Sequence, residues 1–126
     1  MVNAIGKRDQ KRALSLYYDL LALKEAPMRI LYLMNRQFRI LLDLTSMQKA
    51  GLDAKTMASK AGIPPFAVRR SLEQAARFQE KELIQALNDG ASLETDSKTG
   101  KITDQIAVEL LIVTYSKQPA QPASVL

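Results

Sequence analysis

The run Pro27-Met28-Arg29-Ile30-Leu31-Tyr32-Leu33-Met34-Asn35-Arg36-Gln37-Phe38-Arg39-Ile40-Leu41-Leu42-Asp43-Leu44-Thr45 sets the architecture of the chain. Ile30, Leu31, Met34, Phe38, Leu41, Leu42 and Thr45 recur at the three- and four-residue spacing of one helical face. Leu33, Ile40 and Leu44 add apolar groups on another face. A helix apolar over so much of its circumference must be packed by neighbours on several sides. Pro27 suits the first turn, where its missing N–H would have no partner anyway. Gly51 suits the stop, because glycine adopts the left-handed conformation that ends helices. The helix predicted over about 27–50 is therefore central, and the rest of the chain must supply its neighbours.

Those neighbours are legible on both sides. Residues 9–24 carry Leu14, Tyr17, Tyr18 and Leu21 at helical spacing. Asp53 can cap a short helix through about 61, with Met57 and Ala58 inward, and Gly62 breaks it. Pro64-Pro65 opens a helix to about 78, with Val68, Leu72 and Ala75 inward. Residues 80–96 read as another, with Leu83, Ile84, Leu87 and Leu93 inward and Gly90 weakening it locally. Thr103 or Asp104 caps a last helix through 115, with Ile106, Ala107, Leu110, Leu111 and Thr114 inward. Its run Leu110-Leu111-Ile112-Val113 also suits a strand, but nothing nearby offers a pairing partner. The expected fold is all-α, a compact bundle of about six helices around a long central one. The tail 118–126, with its repeated Gln-Pro-Ala, is expected to be disordered.

At 126 residues the chain holds one domain. Apolar residues make up 47% and charged residues 25%, the balance of a globular domain that needs no covalent staple. The chain has no cysteine and no histidine. That excludes disulfides, Cys/His zinc sites, Ser-His-Asp triads and haem ligation through either residue. No apolar run approaches the ~20 residues of a membrane span. Ala4-Ile5-Gly6 gives way at once to Lys7-Arg8-Asp9, which is no signal-peptide core. The expected compartment is the cytoplasm, with no membrane partner.

Catalysis near neutral pH needs groups that titrate or coordinate there. Gly100-Lys101 invites a phosphate-loop reading, but Thr95 stands where that loop needs glycine and Ile102 where it needs Ser or Thr. Glu94, Asp96 and Asp104 do not match an EF-hand loop. No catalytic, cofactor or metal residue is expected, and no enzymatic activity. The net charge of +5 is uneven: residues 28–77 carry +6 and residues 78–126 carry −3. That asymmetry points to a polar partner, nucleic acid or a complementary protein face.

One candidate for meeting such a partner is a helix-turn-helix. Met57-Ala58, Gly62-Ile63 and Val68 stand at the offsets of such a pair, with Arg69, Arg70, Glu73 and Arg77 outward. Under this alternative reading, a DNA-binding transcriptional regulator, Arg69, Arg70 and Arg77 would contact DNA. Ser71 stands where an apolar residue is usual, and Pro64-Pro65-Phe66 puts bulk at the tip.

A longer series carries a resemblance. It comprises Ala4-Ile5-Gly6-Lys7-Arg8-Asp9, the helix 13–23, Pro27-Met28-Arg29-Ile30-Leu31, Arg36-Gln37-Phe38-Arg39 and residues 58–66. Gln74-Ala75-Ala76-Arg77-Phe78, Lys98-Thr99-Gly100-Lys101 and Val108-Glu109-Leu110-Leu111-Ile112 complete it. In this order and spacing the chain resembles the C-terminal domain of the delta subunit of bacterial DNA polymerase III, a clamp-loader family, over about residues 4–116. The resemblance implies a helical collar domain at about 9–117. It also implies that residues 1–8 are a linker remnant, with Met1-Val2 the start of an expressed fragment. Such a domain joins the C-terminal domains of the other clamp-loader subunits in a ring. The whole assembly opens and loads the sliding clamp during DNA replication. In that family the clamp is bound by a first domain missing here, and DNA contact by this domain alone is expected to be weak or absent. Arg29, Arg36 and Arg39, with Tyr32 between, run down one side of the central helix and are the candidate interface from the basic side. Glu80, Glu82 and Glu94 are the candidates from the acidic side, and Glu109 is placed to pair internally with one of the arginines.

Overall fold

A computed structural model of the chain describes residues 1–117. Seven helices follow one another among them: α1 (Val2–Gly6), α2 (Gln10–Ala22), α3 (Pro27–Lys49), α4 (Ala54–Ala61), α5 (Pro65–Ala75), α6 (Glu80–Lys98) and α7 (Asp104–Ser116). No strand occurs among the described residues, and the Leu110–Val113 run lies within α7. The tail expected to be disordered lies outside the described residues.

The central helix is α3, which packs against α1, α4, α5, α6 and α7. Its first two thirds enter the main core through Ile30, Leu31, Met34, Phe38 and Leu41. Ile40 and Leu44, on its other flank, join Met57, Ala58 and Val68 in a second core beneath α4 and α5. The two apolar faces of α3 thus serve two cores. Helix ends follow local chemistry. Asp9 accepts the Arg12 N–H at 3.1 Å, Asp53 accepts the Thr56 N–H at 2.8 Å, and Thr103 accepts the Ile106 N–H at 3.2 Å. Gly62 closes α4 at φ +71°, where a side chain would be strained.

Four expectations are corrected. Residues 1–8 do not read as a linker: Val2–Gly6 is a helix whose Ile5 is fully buried in the main core with Val2 and Ala4. Five residues are too few for periodicity to announce a helix, so this one exists through packing. In α7 the buried stripe is Ala107, Val108, Leu111, Ile112 and Tyr115. Ile106, Leu110 and Thr114, expected inward, face outward. In α2, Tyr17 is buried while Tyr18 is exposed, and in α6 Ile84 is exposed.

Gly90 marks the crossing of α3 and α6. It is buried, and a Cβ there would stand 1.9 Å from Asn35 Oδ1 and 2.8 Å from its Cγ. The Asn35 amide fills that space, its buried Oδ1 without a hydrogen-bond partner among the described residues. In an exposed helix, Gly→Ala would stabilise by ~1 kcal/mol. Here the added methyl meets only the terminal amide of Asn35, whose Oδ1 has no hydrogen bond to lose among the described residues. Swinging that amide aside should offset part of the gain, and Gly90→Ala should change stability by less than about 1 kcal/mol. In the Asn35→Ala background, where nothing has to move aside, Gly90→Ala should give the fuller gain. Denaturant unfolding of the four proteins in the cycle measures this, and additive effects would show that the two residues do not compete for the space.

Two phenols are sealed in. Burial, reinforced by Glu109 nearby, pushes Tyr17 up to about 12, and its hydroxyl donates to the Gln105 carbonyl at 3.4 Å. Burial likewise raises Tyr115, whose hydroxyl donates to Asp89. The folded pKa lies above the unfolded value, so this stability is fully present below pH ~10 and lost as pH climbs through the folded value. Alkaline unfolding should therefore set in above pH ~10. Tyr17→Phe should move its midpoint upward, as followed by circular dichroism beside tyrosinate absorbance.

Candidate interaction surface

No group of three or more acidic, histidine or cysteine side chains among the described residues could hold a metal ion. No helix among them is long and apolar enough to cross a membrane. The concave features are open grooves between helices, so surface chemistry is what remains to be read.

The outer side of α3 presents Arg29, Tyr32, Arg36 and Arg39, with Tyr32 55% exposed. Tyr32, Asn35, Arg36 and Arg39 form one wall of a groove of about 220 Å³, and Leu87, Ala91 and Glu94 of α6 form the other. The structure thus brings Arg36, Arg39 and Glu94 together. Arg29 lies outside this lining, ~10 Å further along the helix axis. None of the three arginines forms an ion pair among the described residues.

The acidic candidates separate. Glu94 pairs with Lys98 one turn on, at 3.0 Å. Glu80 pairs with Lys49 at the end of α3. Glu82 is committed to the interior: its Oε2 accepts from Arg8 at 2.7 Å and its Oε1 accepts the Gln79 N–H at 2.9 Å. Basic middle and acidic end are thus not two faces, because α3 and α6 pack side by side and their charges border one groove. Glu109 does not meet an arginine either; it accepts from the Tyr18 hydroxyl at 3.3 Å.

Two residues emerge that sequence patterning had placed inside. Ile106 and Leu110 stand on the outer flank of α7, each 45% exposed. The signal was available in Leu110-Leu111-Ile112-Val113. At 100° per residue, four consecutive apolar side chains cannot all face one core. A helix apolar on both flanks and covered on only one leaves the other for a neighbour.

In the α4–α5 pair, Phe66 is 86% exposed and Ser71 is buried. Arg69 reaches Glu73 at 3.5 Å, while Arg70 and Arg77 line a separate cleft beside α1. The pair rests on α3 through the second core, an integral part of the bundle.

Against this geometry, the similarity to known proteins is specific. The family described as DNA polymerase III delta subunit, C-terminal domain, matches residues 1–115. The chain is 32% identical over 118 residues to DNA polymerase III subunit delta of Bacillus subtilis, covering 94% of this chain and 34% of that protein. It is also similar to the solved structure of the Bacillus subtilis DNA clamp loader delta protein, with a TM-score of 0.86 at 32% identity, covering 93% of this chain and 34% of that one. The chain therefore spans about a third of the length of these relatives. The α4–α5 pair, open to a regulator's reading from sequence, falls inside the family match. With its fold, its length and its helix pair all accounted for, the chain belongs to the family formed by the C-terminal domain of the DNA polymerase III delta subunit.

Proposed function

We propose that this domain is an assembly (collar) module of a clamp loader, holding the delta subunit beside its neighbours through their C-terminal domains. The observation that carries the reading is the structural likeness to the clamp loader delta protein, at a TM-score of 0.86. On this reading the domain performs no catalysis itself, works in the cytoplasm, and leaves clamp contact to a region that precedes it in the relatives. The surfaces that suit the role are Arg29, Arg36 and Arg39 with Tyr32 on α3, and Ile106 and Leu110 on α7. Exposed charges of this kind govern encounter rate and salt sensitivity, while the apolar and aromatic groups govern how long a complex lasts.

The test is sedimentation of this chain with the matching C-terminal domains of the other clamp-loader subunits. Association should appear at low salt. Reversing Arg29, Arg36 and Arg39 to Glu should slow association and flatten its salt dependence, and Leu110→Ser should speed dissociation. No association of the parent chain at any salt overturns the assembly reading. Unchanged association after charge reversal removes the arginines from it.

A further inference from the structure

We infer that the cleft between α1 and α5 is a binding site for a phosphoryl group, independent of the assembly surfaces. Its lining is Asn3 from α1 with Arg70, Glu73, Gln74 and Arg77 from α5 and the residues just after it. Arg70 and Gln74, four residues apart, share one flank of α5, and Arg77 follows in the turn just beyond its end, so the three meet Asn3 in one cleft.

The chemistry of the lining is that of an anion site. Two guanidinium groups offer planar forks of donors that match phosphate oxygens. Neither Arg70 nor Arg77 is engaged by a carboxylate among the described residues. The one acid in the cleft, Glu73, is paired with Arg69 at 3.5 Å, which offsets its charge. Gln74 is tied by the bond in which its Oε1 accepts from Gln37 Nε2 at 3.0 Å, and its own NH₂ group makes no side-chain hydrogen bond among the described residues.

Arg77 is also held in place. A Cβ on Gly6 would stand 3.1 Å from Arg77 Cβ and 3.2 Å from its Cδ, so the arginine stem lies directly on the α1 backbone. A larger residue at position 6 would push that stem aside. A side chain already held along its stem loses less freedom when its head binds a ligand. The glycine at the end of α1 thus acts as a positioning residue for the guanidinium.

A phosphoryl group could come from a free nucleotide or from the backbone of a single-stranded nucleic acid, and the experiment separates them. The isotope-labelled chain is titrated at low salt with inorganic phosphate, with ATP and with an oligothymidylate, following the side-chain resonances of Arg70, Arg77, Asn3 and Gln74. These resonances should move together and saturate. Arg70→Gln and Arg77→Gln should each weaken binding by roughly tenfold. Glu73→Gln should tighten it, and Lys55→Gln, on exposed α4, should leave it nearly unchanged. Saturation by ATP at lower concentration than phosphate, with no gain from the oligonucleotide, identifies a nucleotide site. Tighter binding of the oligonucleotide, with a salt slope that falls by about 0.7 per arginine removed, identifies a strand backbone. Still resonances with all three ligands overturn the proposal. So does a loss in Lys55→Gln as large as in Arg77→Gln, which marks a diffuse basic surface. Thermal melts check that each variant is folded, and the opposite signs expected for Glu73→Gln and Arg70→Gln keep the test decisive if Arg77→Gln is not.

Discussion

Phe38→Ala should lower the stability of this domain by about 3–5 kcal/mol, through lost transfer free energy and the cavity left behind. Phe38 is fully buried at the middle of α3. Its ring meets Phe78 edge-on at 5.8 Å between centroids and Tyr115 at 6.2 Å. These partners come from the segment after α5 and from α7, so one side chain joins three parts of the bundle. Aromatic pairs of this kind add about 0.5–1.5 kcal/mol beyond the area they bury. For a domain of this size the melting temperature should fall by roughly 10–20 °C. Phe38→Leu, which keeps most of the volume, should lose much less. A Phe38→Ala variant that melts with the parent would show that the centre of the fold lies elsewhere.

Arg8→Ala should cost about 2–3 kcal/mol, far more than an ordinary surface arginine. Its guanidinium donates to Glu82 at 2.7 Å and to the Tyr115 carbonyl at the end of α7, and it lies 5.5 Å from the centre of the Phe78 ring. One side chain therefore ties the α1–α2 turn to α6, α7 and the aromatic cluster. The side chains of Arg8 and Glu82 are only 18% and 25% exposed, so removing the cation strands a partly desolvated carboxylate. The exposed Lys49–Glu80 pair should by contrast be worth less than about 1 kcal/mol. Arg8 also adopts φ +60°, a left-handed conformation costly for a residue with a Cβ. Arg8→Gly should therefore be the milder substitution, although it removes more of the side chain. Urea denaturation of both variants and of Glu82→Gln decides the point. Equal losses for Ala and Gly would show that the backbone carries no strain here, and a negligible loss for both would remove the Arg8 contacts from the stability of the fold.

The all-helical class and the central place of α3 follow from the order of residues alone. Both rest on local physics: apolar spacing along 27–50, capping by Asp53 and Thr103, Pro27 at a start and Gly51 and Gly62 at stops. The order of short motifs also carried the family, because several motifs that are weak singly become specific when they occur together in one order and spacing. Of the candidate site, the arginine row of α3 was legible, since residues on one helix keep their relative positions. The partners of those charges emerge only when distant segments pack. Which segment lies beside Arg36 and Arg39 depends on the packing of α6 against α3, and whether Glu82 faces solvent or Arg8 depends on a contact between residues 74 positions apart. Periodicity shows that α7 has an apolar surface, but not which flank meets the core when nearly every position is apolar. The five residues of α1 carry too few hydrogen bonds to form a helix alone. They are helical because Ile5 finds a cavity prepared by the rest of the fold, and that cavity exists only once α2, α3, α5 and α7 have packed.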